Sequence, residues 1–189
     1  MIKRLAIILA ILAATVGYAI YQKQSLESQL STGAGTEAIL KKMPEANFKS
    51  LTGEVVSLDS LYPADLVIVH YWGTWCAPCE AELPDLLSFI KRFKDQRNVK
   101  FILVAVNDDL VKVQKHIKAL PLSSDMNITW LMDNDDVHRK IFGTTRVPET
   151  YVFSSDKLTL KKYLGPQEWN KTMFFQTFDE FLQMPQHKL

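Results

Sequence analysis

The stretch Leu66-Val67-Ile68-Val69-His70-Tyr71-Trp72-Gly73-Thr74-Trp75-Cys76-Ala77-Pro78-Cys79 decides the fold of this 189-residue chain. Its first half is a β-branched and aromatic run without polar alternation, which is typical of a central strand buried on both faces. Pro78 stands where the first turn of a helix is expected, because its missing N–H costs nothing there. Apolar residues then recur at helical spacing to about Arg97. The stretch therefore predicts a buried strand that runs directly into a helix.

The chain has two cysteines, Cys76 and Cys79, and they lie within this stretch. At this spacing they can close a disulfide across one helical turn, and a helix that starts between them directs unsatisfied N–H groups at the first sulfur. The partial positive charge favours the thiolate and lowers the thiol pKa, so Cys76 is the predicted nucleophile. Cys79 is predicted to attack the sulfur of Cys76 and release a reduced partner. A merely structural disulfide is the alternative.

Simple counts argue against several other kinds of site. A zinc site would need two more ligands than the cysteine pair supplies, and the four histidines are dispersed. Haem attachment would need a histidine where Glu80 stands. The acidic stretch Asp133-Asn134-Asp135-Asp136 lacks the distal glutamate of a calcium loop. With 22 basic and 21 acidic residues, the chain has no single-sign field for a nucleic acid. We therefore predict no metal, no cofactor and no nucleic-acid partner.

Strands and helices alternate on either side of the deciding stretch, which predicts an α/β fold. Upstream, two short strands flank the Thr52-Gly53 turn as a small hairpin. The downstream strands are predicted at residues 99–106, 128–131, 149–153 and 158–164. The downstream helices are predicted from the caps Asp108 and Asp109 to Leu120, at residues 137–142, and at residues 167–183.

Residues 5–21 carry no charge and follow Lys3 and Arg4. As a helix this run would rise about 25 Å, slightly less than the roughly 30 Å hydrocarbon core of a bilayer. We interpret residues 1–21 as a membrane anchor, with a cleaved signal peptide as the alternative, because the run is long and no strong Ala-x-Ala site follows. The positive-inside rule places the rest of the chain outside the cytoplasm. Residues 22–38 are predicted to be a flexible linker, and residues 39–189 the folded domain.

Three motifs resemble the thioredoxin superfamily: residues 71–79, Glu82-Leu83-Pro84 and Val147-Pro148-Glu149-Thr150. Within it, the chain is most similar to the TlpA-like membrane-anchored group, which includes the thiol-disulfide reductants of cytochrome c maturation. The resemblance covers roughly residues 43–184. It implies a three-layer thioredoxin-like fold with a central mixed sheet, helices on both faces and the early hairpin as an N-terminal extension.

The resemblance also implies an activity. It implies a single-pass protein of the bacterial cytoplasmic (inner) membrane whose C-terminal domain faces the periplasm or the cell exterior. That domain reduces disulfides of extracytoplasmic partner proteins, and a membrane electron donor, such as a thiol-reducing membrane protein, recharges it. A dithiol oxidase or isomerase is the first alternative. A tethered binding or chaperone domain with a structural disulfide is the second.

Roles for individual residues follow from the same resemblance. Pro148 corresponds to the cis-proline of the family, which faces the disulfide so that the backbone of Val147 can pair with an extended substrate; a proline that opens an edge strand is the alternative. Trp75 and Pro78 are expected to flank the disulfide, although aromatic residues at strand ends are commonly core. Glu82 matches an acid that raises the thiol pKa and shuttles its proton, and an exposed helix-face glutamate is the alternative.

Two residues depart from the pattern of many thioredoxins. His70 stands six residues before the nucleophile, where many thioredoxins carry a buried acid. An imidazole can accept the proton of Cys79 at neutral pH, and a core histidine hydrogen-bonded to the backbone is the alternative. Glu149 replaces a small residue; it either selects basic partners or lies in solvent.

Overall fold

The computed structural model describes residues 15, 17, 18, 40–93, 95–96, 98–122 and 126–184. The chain divides into two units, Met1–Ile39 and Leu40–Leu189. In the first unit, Thr15, Gly17 and Tyr18 are helical. The rest of the anchor predicted at residues 1–21, and the linker predicted at residues 22–38, lie outside the described residues and stay predictions. Among the residues that are described, no helix has the length and apolar character needed to cross a membrane.

The described part of the second unit contains one mixed sheet and four α-helices. The strands are β1 (Asn47–Ser50), β2 (Val55–Ser57), β3 (Leu66–Trp72), β4 (Val99–Val106), β5 (Ile128–Asp133), β6 (Glu149–Ser154) and β7 (Thr159–Leu164). The helices are α1 (Ala77–Arg92), α2 (Leu110–Ala119), α3 (Val137–Phe142) and α4 (Thr172–Gln183), with a 3₁₀ turn at Leu58–Leu61. The prediction of an α/β fold is confirmed, and β1 and β2 form the predicted hairpin.

The sheet has seven strands in the order β2-β1-β5-β4-β3-β6-β7. Strands β3, β4 and β5 are parallel, whereas β1, β2, β6 and β7 pair antiparallel with their neighbours. All residues of β3 are buried, and the strand is hydrogen-bonded to β4 on one edge and β6 on the other. This position explains the uninterrupted apolar run in the sequence, because neither face of β3 meets solvent.

Two apolar cores lie on the two faces of the sheet. Leu66, Ile68 and Trp72 of β3 face the first core, where α1, α2 and α4 pack. Val67, Val69 and Tyr71 face the second core, which includes residues of α3 and of the 3₁₀ turn. His70 has the parity of the first set, so the alternation of the strand directs its side chain toward the α1 side.

Three element boundaries differ by two or more residues from the predictions. Helix α1 ends at Arg92 rather than near Arg97. At its end, the N–H of Phe93 donates to the carbonyl of Ile90. Strand β5 continues to Asp133, because its pairing with β4 extends that far. Helix α4 begins at Thr172 instead of residue 167.

Candidate active site

Cys76 and Cys79 form a disulfide at the start of α1. Cys76 is the N-cap residue of the helix, and the backbone N–H of Cys79 donates to its Sγ at 3.3 Å. Cys76 is 6% exposed and Cys79 is 1% exposed. The sulfur of Cys76 therefore lies at the positive end of the helix and is the more accessible of the two. The predicted placement of the pair at the end of a buried strand is confirmed.

Trp75 lies at the surface directly before the disulfide. Its side chain is 57% exposed, so the core alternative is wrong. The indole Nε1–H donates to the carbonyl of Val106 at 3.0 Å, which fixes the ring at the end of β4. A Cβ at position 73 would lie 2.7 Å from Nε1, so the ring packs where only Gly73 leaves room. Pro78, in the first turn of α1, is also exposed.

Asp108 holds the loop that precedes Cys76. Its carboxylate accepts from the backbone N–H of Thr74 at 2.6 Å and from the Thr74 hydroxyl at 2.9 Å. The prediction that both aspartates cap a helix is correct only for Asp109, which accepts from the N–H of Lys112 at 2.9 Å. A signal for the contact exists in the sequence, because β3 and β4 are parallel and their carboxyl ends meet at one edge of the sheet.

The chain returns to the disulfide at Val147 and Pro148. The peptide bond between them is cis, as the resemblance implies. The carbonyl oxygen of Val147 lies 3.8 Å from the Sγ of Cys76, and Pro148 accepts from the N–H of Gly165 at 2.9 Å. The structure thus brings residues 76 and 147 together from distant parts of the sequence.

Glu82 is buried, so its exposed alternative is wrong. Its Oε2 accepts from the backbone N–H of Gln167 at 2.7 Å and from the Nε1–H of Trp169 at 3.0 Å. Burial raises the pKa of Glu82 to about 7, although these two hydrogen bonds act in the opposite direction. Glu82 lies three residues after Cys79 on the same helix, a spacing that puts both on one face of α1.

His70 is buried and contacts side chains rather than the backbone. Its Nδ1 lies 2.9 Å from the Oγ1 of Thr150, so the alternative of a backbone-bonded histidine is wrong. Its Nε2 lies 3.6 Å from the Oε1 of Glu82. Burial lowers the pKa of His70 to about 3, so the imidazole is neutral at neutral pH. The structure thus joins two predicted site residues, His70 and Glu82, in one contact.

Glu149 is fully buried, and the alternative of a solvent position is wrong. Its Oε2 accepts from the Tyr151 hydroxyl at 3.3 Å and lies 3.6 Å from the Nζ of Lys162. Within the part of the chain that the structure describes, no three His, Cys, Asp or Glu side chains form a group able to hold a metal ion.

The sequence model of the Redoxin family matches residues 40–177. The chain belongs to the Redoxin family. The chain is similar to the thiol-disulfide oxidoreductase ResA of Bacillus subtilis, with 27% identity over 160 residues that cover 84% of this chain and 82% of ResA. The Cys76–Cys79 pair at the start of α1 forms a disulfide of the kind that thiol-disulfide exchange uses. The chain is therefore a thiol-disulfide oxidoreductase of thioredoxin-like fold.

Two solved structures show the same fold. A thiol:disulfide interchange protein of Chlorobium tepidum has a TM-score of 0.57 and 24% identity, over 76% of this chain and 94% of that one. A secreted disulfide oxidoreductase of Mycobacterium tuberculosis, homologous to Escherichia coli DsbE, has a TM-score of 0.56 and 18% identity, over 73% of this chain and 94% of that one.

Proposed function

We propose that this protein reduces disulfides of partner proteins outside the cytoplasm, and that residues 1–21 anchor it in the cytoplasmic membrane. The observation that carries the reaction is the Sγ of Cys76, which lies at the N-terminus of α1 and 3.8 Å from the carbonyl oxygen of Val147. The location rests on the charge-free run after Lys3 and Arg4. The similarity to a secreted disulfide oxidoreductase is consistent with it.

The reaction uses the dithiol form of the cysteine pair. The helix N-terminus and the N–H of Cys79 stabilise the thiolate of Cys76, which attacks one sulfur of the partner disulfide. The S–S bond of the partner breaks, its second sulfur leaves as a thiolate and is protonated, and Cys76 and the first sulfur form a mixed disulfide. Cys79 then loses its proton and attacks the Sγ of Cys76. The bond to the partner breaks, and its electron pair leaves on the partner sulfur, which is then protonated. Two electrons pass to the partner, and the Cys76–Cys79 disulfide forms. Glu82 takes up the proton that Cys79 loses.

The surface around Cys76 offers an extended substrate both polar and apolar contacts. The backbone of Val147, next to the cis Pro148, pairs with the substrate main chain. The exposed side chains of Trp75 and Pro78 flank the disulfide and contact the substrate side chains. Because the disulfide is nearly covered, exchange requires a partner segment that seats closely against this surface.

The direction of electron flow follows from the compartment. Oxidants are already abundant outside the cytoplasm, so a dithiol held there as a reductant needs a membrane thiol donor to recharge it. Apocytochrome c is the substrate class that the resemblance favours. A dithiol oxidase or isomerase is distinguished by its potential. We expect a value nearer about −270 mV, and one near about −120 mV would instead indicate an oxidase.

Trapping tests the proposed reaction. In the full-length Cys79→Ser protein, Cys76 can form a mixed disulfide that nothing resolves, so partners should stay attached in native membranes. We expect non-reducing gels to show adducts that disappear on reduction and are absent from the matched Cys76→Ser/Cys79→Ser variant. A tethered binding domain would give no adducts and only slow alkylation of Cys76 at pH 6 to 7.

A further inference from the structure

The imidazole of His70 lies between a hydroxyl oxygen and a carboxylate oxygen. On one side, Nδ1 is 2.9 Å from the hydroxyl of Thr150 on β6. On the other side, Nε2 is 3.6 Å from the carboxylate Oε1 of Glu82 on α1. The side chain of His70 is 1% exposed and that of Glu82 is 3% exposed, so water does not compete for these contacts.

Nε2 of His70 and Oε1 of Glu82 lie close enough to become hydrogen-bond partners. Each is buried, and neither has a hydrogen-bond partner among the residues that the structure describes. Leaving a buried polar atom unpaired is unfavourable, and this favours closing a gap that is only slightly longer than a hydrogen bond. The other carboxylate oxygen is held by Gln167 and Trp169, so Oε1 is the one that is left to meet the imidazole.

Thr150 makes this arrangement different from that of an ordinary buried histidine. When Nδ1 faces a backbone carbonyl, it must carry the proton, and the tautomer is fixed. A threonine hydroxyl both donates and accepts, so it satisfies Nδ1 with or without a proton. The ring can therefore present Nε2 to Glu82 either as a donor or as an acceptor.

We propose that His70 changes tautomer with the protonation state of Glu82 and is the positioning residue that stabilises both states of this carboxyl group. When Glu82 is ionised, Nε2–H donates to Oε1 and the Thr150 hydroxyl donates to Nδ1. When Glu82 is protonated, its O–H donates to Nε2 and Nδ1–H donates to Thr150. The imidazole stays neutral in both states, and the pair differs by the one proton on Glu82.

The inference rests on the proposed function for its use: a group that takes the Cys79 proton and returns it must be stable in both forms. The pKa shifts agree with it. Burial places the pKa of Glu82 at about 7 and keeps His70 neutral above about pH 3. The neighbours facing the pair from β4 and β6 are Leu103 and Thr150, which do not titrate. Cys79 on α1 is in the disulfide, and burial raises the pKa of Tyr163, behind Trp169, so it stays neutral.

The test is ¹⁵N NMR of the imidazole in the oxidised full-length protein between pH 5 and 9. As the pH rises, the signal of the protonated nitrogen should move from Nδ1 to Nε2 with a single midpoint. No signals of an imidazolium, with both nitrogens protonated, should appear. The exchange should vanish in Glu82→Gln. His116→Asn is the matched control, because His116 contacts Glu80 rather than Glu82, and it should leave the midpoint unchanged.

The assignment of the His70 signal has two independent routes. His70→Asn removes the signal directly. If that variant does not fold, substitution of the other three histidines assigns it by elimination. A single tautomer from pH 5 to 9, an imidazolium, or a switch that survives Glu82→Gln would overturn the inference. These measurements use the disulfide form without a partner, so a failure of Cys79→Ser to trap proteins would refute the proposed function and leave the tautomer result standing.

Discussion

Glu82 and His70 are ionisable residues in an apolar core, and burial shifts each toward its neutral form. Burial raises the pKa of Glu82 from 4.5 to about 7, so between these values the folded protein holds a proton that the unfolded chain has lost. This effect makes the protein less stable as the pH rises. Burial lowers the pKa of His70 from 6.5 to about 3, so here the unfolded chain holds the extra proton, and stability is lost as the pH falls. Between pH 4.5 and 6.5 the two effects oppose each other.

Single substitutions should separate the two effects. In His70→Asn, the free energy of unfolding should fall relative to the original protein as the pH rises from 4.5 to 6.5, by up to about 1 kcal/mol per pH unit. In Glu82→Gln it should rise over the same range. Urea unfolding at closely spaced pH values measures both slopes. Parallel curves for the three proteins would contradict the assigned pKa shifts.

At the scale of elements, the loop between β3 and α1 is held by hydrogen bonds to residues at the end of β4 and directly after it. Asp108 bonds Thr74 twice, and the carbonyl of Val106 bonds the Trp75 ring. The adjacent Asp109 instead caps α2. The Asp108 carboxylate thus serves the active-site loop and the Asp109 carboxylate the helix, and Asp108 also accepts from the backbone N–H of Asp109 at 2.8 Å.

Alanine at each aspartate tests this separation. Asp108→Ala should lower the free energy of unfolding by about 1–3 kcal/mol and slow the exchange of Cys76 with a small disulfide, because two Thr74 donors lose their acceptor. Asp109→Ala should cost about 0.5–2 kcal/mol through the lost cap and leave the exchange rate unchanged. Chemical denaturation and stopped-flow thiol exchange measure the two quantities. Equal exchange rates in the two variants would show that Asp108 does not position the loop.

The strand–helix unit around the cysteines could be predicted because its signals are local. An apolar run, a cysteine pair and a proline in the first turn act within a few residues of one another. The burial of Glu82 could not be predicted in this way, because the residues that donate to it, at positions 167 and 169, are 85 and 87 residues away in the chain. The role of Asp108 could not be derived from its neighbours in the sequence alone, because a carboxylate before a helix looks the same whether it caps that helix or bonds a neighbouring loop.

At the scale of the whole molecule, aromatic packing joins α4 and the segment before it to α1. Phe89 of α1 contacts Trp169 and Phe178 with ring centroids 5.5 and 4.8 Å apart. Trp169 is buried in this cluster and also donates to Glu82. One side chain therefore stabilises the C-terminal packing and, through its hydrogen bond, opposes the rise that burial causes in the pKa of Glu82.

Trp169→Phe should separate these two roles. The substitution keeps an aromatic ring but removes the Nε1–H that bonds Glu82, so the pKa of Glu82 should rise further above its present value of about 7. Phe174→Leu is the matched control. The ring centroids of Phe174 and Trp169 are 4.9 Å apart, so this substitution removes core volume at the same place but leaves the hydrogen bond to Glu82. Carboxyl titration by ¹³C NMR measures the midpoint. An equal shift in both variants would assign the effect to packing rather than to the hydrogen bond.

The hydrogen bonds from residues 167 and 169 to Glu82 also bear on how a newly made chain acquires its reactivity. A ribosome finishes both cysteines about ninety residues before it reaches Trp169. Until that late segment docks, the nascent polypeptide carries a thiol pair whose neighbouring carboxylate lacks both of its N–H donors. The protein therefore gains both hydrogen bonds to Glu82, the proton acceptor that we propose, only after residue 169 has been made, and termination before residue 167 would yield thiols without them.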